Sequence, residues 1–192
     1  MRPENRTERE AQIAEAAYAV LAEKGFGGLS MLAVAKRAKA SNETMYRWYG
    51  DKTGLFRALI QRNAAQVTER LEALPPDATS LDDLGALLLD MLLSDRAVAL
   101  NRAAAADPSN SLGAVLAEAG RGTVFPRLVA VFEHLCAAGE VTGPPEAAAA
   151  LWVDLLVGDW QLRCVTGAMS PPGPEARGAR VRRASRGVLT AR

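Results

Sequence analysis

Ser30-Met31-Leu32-Ala33-Val34-Ala35-Lys36-Arg37-Ala38-Lys39-Ala40-Ser41-Asn42-Glu43-Thr44-Met45-Tyr46-Arg47-Trp48-Tyr49-Gly50-Asp51-Lys52 is the stretch from which the rest of this 192-residue chain is read. Ser30 is a good N-cap, and residues 31–38 after it predict a short helix. Lys39-Ala40 is too short for a loop with structure of its own, so the chain must turn tightly there. Ser41 can cap a second short helix, 42–49, whose side chains are unlike those of a buried helix. Asn42, Glu43, Thr44, Tyr46, Arg47, Trp48 and Tyr49 set hydrogen-bonding groups and flat amphipathic rings in a single run. Two short helices at a steep angle, the second polar and exposed, suit insertion into a DNA major groove. The plainer alternative is a surface helical hairpin with a solvated face. Aromatic density weighs against it: Tyr46, Trp48 and Tyr49 are all but one of the Trp and Tyr residues outside the C-terminal half.

Working outward, Ile13, Ala16, Ala17, Val20 and Leu21 recur at helical spacing and predict an amphipathic helix over roughly 5–24, closed at Lys24-Gly25. Phe26 and Leu29 then share a small core with Val34, Ala35, Ala38 and Met45. A fourth helix runs from about 51–53 to 74, where Pro75-Pro76 stops it. Beyond it Ser80 and Asp83 resemble a capping box, and every later signal is helical. Helices are expected at about 80–92, at 95–106, at 111–138 with a bend at Pro126, at 145–165 and from 175. The reading is all-α with about nine helices: a three-helix helix-turn-helix head (1–52), joined by a long helix to a C-terminal ligand-binding and dimerisation domain (53–192).

Composition narrows the classes. A chain with 49% hydrophobic residues can bury a real core. No apolar run approaches the ~20 residues that cross a bilayer. The polar start, Met1-Arg2-Pro3-Glu4-Asn5-Arg6, lacks a signal-peptide stretch, so a cytoplasmic location is expected. Cys136 and Cys164 do not make a disulfide framework, and buried, inert thiols are the simpler expectation. A net charge of +1 hides an uneven distribution: +4 over residues 1–63, −9 over 64–175 and +6 over 176–192. A basic first segment and an acidic middle would orient the molecule on a polyanion. No nucleophile elbow, paired carboxylate cleft or cofactor loop assembles, so neither an enzyme nor a cofactor is expected. The lone His134 and the two cysteines do not make metal-ligand spacing, so no metal is expected.

The run Ser41 to Phe56, with Ala16-Ala17, Leu21, Lys24-Gly25-Phe26, Val34-Ala35 and Ala38 ahead of it, resembles the signature of TetR/AcrR-type transcriptional regulators over roughly residues 8–60. Several motifs in the family's order and spacing carry this resemblance. The segments Gly120…Phe125-Pro126-Arg127-Leu128, Ala138-Gly139-Glu140-Val141 and Leu155-Leu156-Val157-Gly158-Asp159 resemble the C-terminal domain of AefR-like members. Two departures stand out: Lys39 occupies a turn position where the family usually has Gly, which forces a left-handed conformation on a residue with a side chain. Glu43 stands where a small residue is common, and its carboxylate could accept from cytosine N4.

From the residues and the resemblance together, Ser30 and Met31 would offer helix-start N–H groups to phosphate, Asn42, Glu43 and Thr44 would reach base edges, and Ser41 and Arg47 belong to the same DNA-binding set. The resemblance assigns phosphate contacts to Tyr46, Trp48 and Lys52, and a packing role beneath the helix to Tyr49. It also implies a homodimer on a palindromic double-stranded operator. Leu151, Leu155, Leu156, Val181, Ala184 and Val188 are the candidate interface. Leu88, Met91, Leu92, Phe125, Val129, Phe132, His134 and Trp152 are the candidate wall of a pocket for a small apolar effector. Trp152 and Trp160, eight residues apart on one expected helix, would share a face that is either interface or pocket. A regulator without a pocket, governed by a protein partner or by abundance, is the alternative to a repressor released by its effector.

Overall fold

Local capping explains the first helices of the computed structural model, which describes residues 3–73 and 81–190. Helix α1 (Pro3–Gly28) is interrupted at Gly25, whose φ of 63° is open to glycine at little cost. Helix α2 (Met31–Ala38) starts at Ser30, whose hydroxyl accepts from the Ala33 N–H, and α3 (Asn42–Tyr49) starts at Ser41, whose hydroxyl accepts from the Thr44 N–H. Both match the expected bounds. Helix α4 (Lys52–Ala73) begins behind Asp51, whose carboxylate accepts from the Gly54 N–H at 2.7 Å. The expected stop at Pro75-Pro76 and the start at Ser80 fall outside the described residues.

The later elements are α5 (Leu81–Leu92), α6 (Asp95–Ala105), α7 (Ser111–Leu116), a π-helical turn (Ala117–Arg121), α8 (Gly122–Ala137), α9 (Pro145–Val157), α10 (Trp160–Thr166) and α11 (Pro174–Val188). Two expected helices are each divided, which turns about nine into eleven α-helices among the described residues. The irregularity expected at Pro126 lies earlier, in the π-helical turn, and Pro126 sits inside α8. The N–H that proline lacks would have bonded the carbonyl of Gly122, the first residue of α8, so little of the ladder is lost. The second division is at Gly158, with φ 50° and ψ −130°, a conformation that α-helix cannot continue through. Trp152 and Trp160 therefore lie on different helices and do not share a face.

The described chain forms two compact units, and neither coincides with a division between 52 and 53. One comprises residues 1–63 with 99–120, the other 64–98 with 121–192. The first is discontinuous because Leu55, Phe56, Leu59 and Ile60 of α4 complete the head's core, which also takes in Leu100, Ala103, Leu112 and Val115. Tyr18 ties α1 to α4 there, donating its buried hydroxyl to the Leu59 carbonyl at 2.7 Å. The second unit closes around Leu84, Leu88, Leu89, Phe132, Trp152 and Leu156. Gly85 lets α5 approach closely: a Cβ there would stand 3.0 Å from Val181 and 3.3 Å from Trp152.

Candidate nucleic-acid interface

The turn between α2 and α3 is built by a residue against its own preference. Lys39 takes φ 51° and ψ 39°, the left-handed conformation its place in the turn demands. Its N–H bonds the carbonyls of Ala35 and Lys36, and the Ala40 N–H bonds Ala35 at 2.8 Å, which ends α2 sharply. Arg9 of α1 donates to the Lys39 carbonyl and holds the turn against the first helix. Nothing in the sequence singles out Arg9, which lies on the polar side of a long helix where any charge would do.

On α3 the side chains divide cleanly. Met45 is fully buried and packs the head's core. Ser41 and Thr44 are engaged with each other, their hydroxyls 2.9 Å apart at the cap. Asn42, Glu43, Tyr46 and Arg47 are exposed, at positions i, i+1, i+4 and i+5 of one face. Glu43 and Arg47 form a loose ion pair at 4.0 Å with side chains 86% and 63% accessible. Tyr46 is 56% exposed, unusual for a ring that nothing in its own unit covers.

Trp48 and Tyr49 are half-buried against the core, their rings edge to face with centroids 6.5 Å apart. The Arg6 guanidinium lies 5.4 Å from the Trp48 ring. Burial, and next the Glu10 carboxylate, push the Tyr49 phenol above its usual pKa, in keeping with a packing role. A cleft of about 380 Å³ runs beside these rings, lined by Glu10, Arg57, Gln61 and Arg62 among others.

Two expected contacts are placed differently. Met31 has its side chain in the core, so only its backbone N–H stands at the start of α2. Lys52 turns inward: its Nζ donates to the Phe26 carbonyl at 2.8 Å and sits 3.4 Å from the centre of the Phe26 ring. Burial lowers its pKa, with Asp107 acting the other way. The ammonium therefore holds the last turn of α1, beyond the break at Gly25, and any phosphate would share a charge already in use. Ser30 is exposed at its cap.

In the second unit the candidate pocket and interface residues divide between core and surface. Leu88, Phe132 and Trp152 are core, Met91, Phe125 and Val129 pack half-buried around it, and Leu92 is half-buried. His134 is exposed, its Nδ1 2.7 Å from the Ala130 carbonyl; the buried face of α8 is Val124, Leu128, Val131, Phe132 and Leu135, and residue 134 lies outside it. Leu156, Val181 and Ala184 are buried within the unit because α9 and α11 pack on each other, so they leave no surface for a second chain. Leu155 and Val188 are half-buried. The most exposed large apolar side chains of this unit are Leu162, 65% accessible, and Leu151, 49% accessible, with Leu189 next; Leu162 was missed because the break at Gly158 re-aims α10. Trp160 is covered by Arg180, whose guanidinium lies 4.2 Å from its ring. The Trp152 indole N–H is buried without a hydrogen-bond partner in the structure.

Comparison with known proteins agrees with this architecture. Residues 13–59 match the family described as bacterial regulatory proteins, tetR family, and residues 79–191 match the AefR-like transcriptional repressor C-terminal domain. The chain belongs to the TetR family. It is accordingly a TetR-type transcriptional regulator with a helix-turn-helix DNA-binding head, and the family is not one of enzymes. A TetR transcriptional regulator from Agrobacterium tumefaciens is 26% identical, with 99% of this chain and 96% of that one covered and a TM-score of 0.75. The flavonoid-responsive regulator FrrA is 25% identical over 94% of each chain, with a TM-score of 0.69. The uncharacterized HTH-type transcriptional regulator YdeS of Bacillus subtilis (strain 168) is 33% identical over 72 residues, 38% of this chain and 34% of that protein. This TetR-family chain thus matches about a third of that relative's length. Members of the family bind operator DNA as homodimers and often respond to small molecules. Among the described residues no helix is long and apolar enough to cross a membrane.

Proposed function

We propose that the protein is a repressor that binds a palindromic double-stranded operator as a homodimer in the cytoplasm and is released by a small lipophilic effector. The observation that carries the DNA reading is the exposed face of Asn42, Glu43, Tyr46 and Arg47 on a helix capped by Ser41 and anchored by Met45. Polar and aromatic groups held on a rigid short helix suit base edges and phosphates. One head makes too few contacts for a tight site, and two-fold pairing supplies the rest. The exposed Leu151 and Leu162 support a protein partner at α9 and α10, the same surface of a second copy.

An effector site in the second unit is supported by the orphaned Trp152 N–H beside Phe132, whose ring centre lies 5.9 Å away. A buried donor without an acceptor is costly, and a guest bearing a carbonyl or phenol oxygen among apolar groups would satisfy it. That the related regulator FrrA is flavonoid-responsive favours the same class of guest. A ligand that prefers one arrangement of the unit would shift the operator-binding equilibrium by its differential affinity.

The experiment is selection of DNA from a random pool by the purified protein. Operator release is then titrated with flavonoids, fatty-acid-like compounds, divalent metals and nucleotides. Enrichment of a palindrome and its release by the apolar compounds is expected. No enriched sequence overturns the DNA reading; release by a nucleotide or a metal alone overturns the effector. Sedimentation of Leu151→Glu/Leu162→Glu as a monomer, against a dimeric parent, tests the assembly.

A further inference from the structure

The exposed face of α3 contains one group that a DNA-binding surface should avoid. Glu43, 86% accessible, brings a carboxylate toward a polyanion, and its ion pair with Arg47 at 4.0 Å is too exposed to matter much to the fold. The helix does not need the pair: Ser41 caps it, Met45 anchors it and the Gly50 N–H closes it on the Tyr46 carbonyl. A carboxylate that costs phosphate repulsion and adds little stability has to be matched by a donor on the DNA. In the major groove the donors are cytosine N4 and adenine N6.

Arg47 decides between them. It lies one helical turn further on the same face, with its guanidinium at the Glu43 carboxylate. A guanidinium fork fits the O6 and N7 acceptors of guanine. A G·C pair presents two acceptors and a donor side by side, in the order in which this helix presents two donors and an acceptor. We propose, resting on the DNA-binding reading above, that Glu43 and Arg47 act as one unit that reads a G·C pair in each operator half-site. The cytosine N4 donates to Glu43 and the guanine accepts from Arg47. The i, i+4 spacing keeps the carboxylate and the guanidinium side by side on one face, as adjacent acceptor and donors on a G·C pair require.

The test uses the full-length protein and DNA selected from a random duplex pool, with affinities measured on the selected operator and on each of its single-base-pair variants. The parent should show one strongly preferred G·C pair per half-site. Glu43→Gln, Glu43→Ala and Arg47→Lys should each lose about 5- to 150-fold of discrimination at that base pair and little elsewhere. Binding of Glu43→Ala to unrelated DNA should tighten, because a charge that repels phosphate is gone. The losses of Glu43→Ala and Arg47→Ala should not add in the double variant, as expected of groups acting together. A selected operator whose base preferences are unchanged in the Glu43 and Arg47 variants overturns the pairing and leaves the DNA reading standing. A pool that yields no preferred sequence with the parent overturns both. Unchanged far-UV circular dichroism of the variants, expected for an exposed pair, excludes misfolding as the cause.

Discussion

Helices α3 and α9 each carry rings and apolar groups, and they sort them in opposite ways. In α3 the one fully buried side chain is Met45, and a tyrosine faces solvent. In α9 Ala148, Ala149, Trp152 and Leu156 form a buried stripe, and the exposed apolar group is Leu151. The eight-residue α3 is too short to be stable alone; it is held by its caps, by the turn at Lys39 and by one anchor. That leaves its outer face free of any structural duty. The thirteen-residue α9 is part of a core, and most of its surface is already spent on packing. Exposed polar and aromatic groups on a helix that does not need them point to a ligand, whereas an exposed leucine beside a filled core points to another protein surface.

The sharpest way to break this comparison is to truncate one tryptophan in each unit. Trp152→Ala removes a fully buried ring from the second core and should cost about 3–5 kcal/mol in urea unfolding followed by circular dichroism. Trp48→Ala, at a half-buried ring, should cost only about 1 kcal/mol while weakening DNA binding. Equal losses would mean that α3 is as structural as α9.

Lys52 sharpens the contrast within the head. Lys52→Met breaks the ammonium bond to the Phe26 carbonyl and should lower stability by about 1–2 kcal/mol, whereas Asn42→Ala should stay within about 0.5 kcal/mol of the parent. If Lys52→Met altered only the salt dependence of DNA binding and left unfolding unchanged, Lys52 would be a phosphate contact alone. A smaller effect of opposite sign is expected at the turn. Lys39→Gly relieves a left-handed backbone at φ 51° and should stabilise the protein by about 0.5–1 kcal/mol in the same assay.

Asp107 gives an effect confined to acid. Its buried carboxylate accepts from the Leu112 N–H at 3.0 Å and from Ser109 and Ser111, and the Leu112 bond, ahead of the serines, holds its pKa down at about 2. The folded value lies below the ordinary 3.8, so the contribution is present above the ordinary value and is lost as pH falls through about 2. The melting temperature of Asp107→Asn should therefore lie below that of the parent at pH 7, with the gap narrowing between pH 4 and pH 2. A gap independent of pH would show that the carboxylate's charge is not what the turn uses.

The sequence by itself determined the local features: both short helices of the head to the residue, the left-handed turn at Lys39, the burial of Met45, and an all-α chain of this family. These follow from capping, spacing and the conformational limits of single residues, which act over a few positions. Tertiary structure alone decided which way long side chains turn. Lys52 could have faced outward, and does not, because the Phe26 carbonyl and ring arrive beside it from the end of α1, more than twenty residues away. Leu156, Val181 and Ala184 read as well for an interface as for a core, since an apolar stripe shows that something covers it and leaves open what. The approach of α5, α9 and α11 at Gly85 fills that stripe from within the unit; Leu151 is left on the open side of α9, and the break at Gly158 turns Leu162 outward.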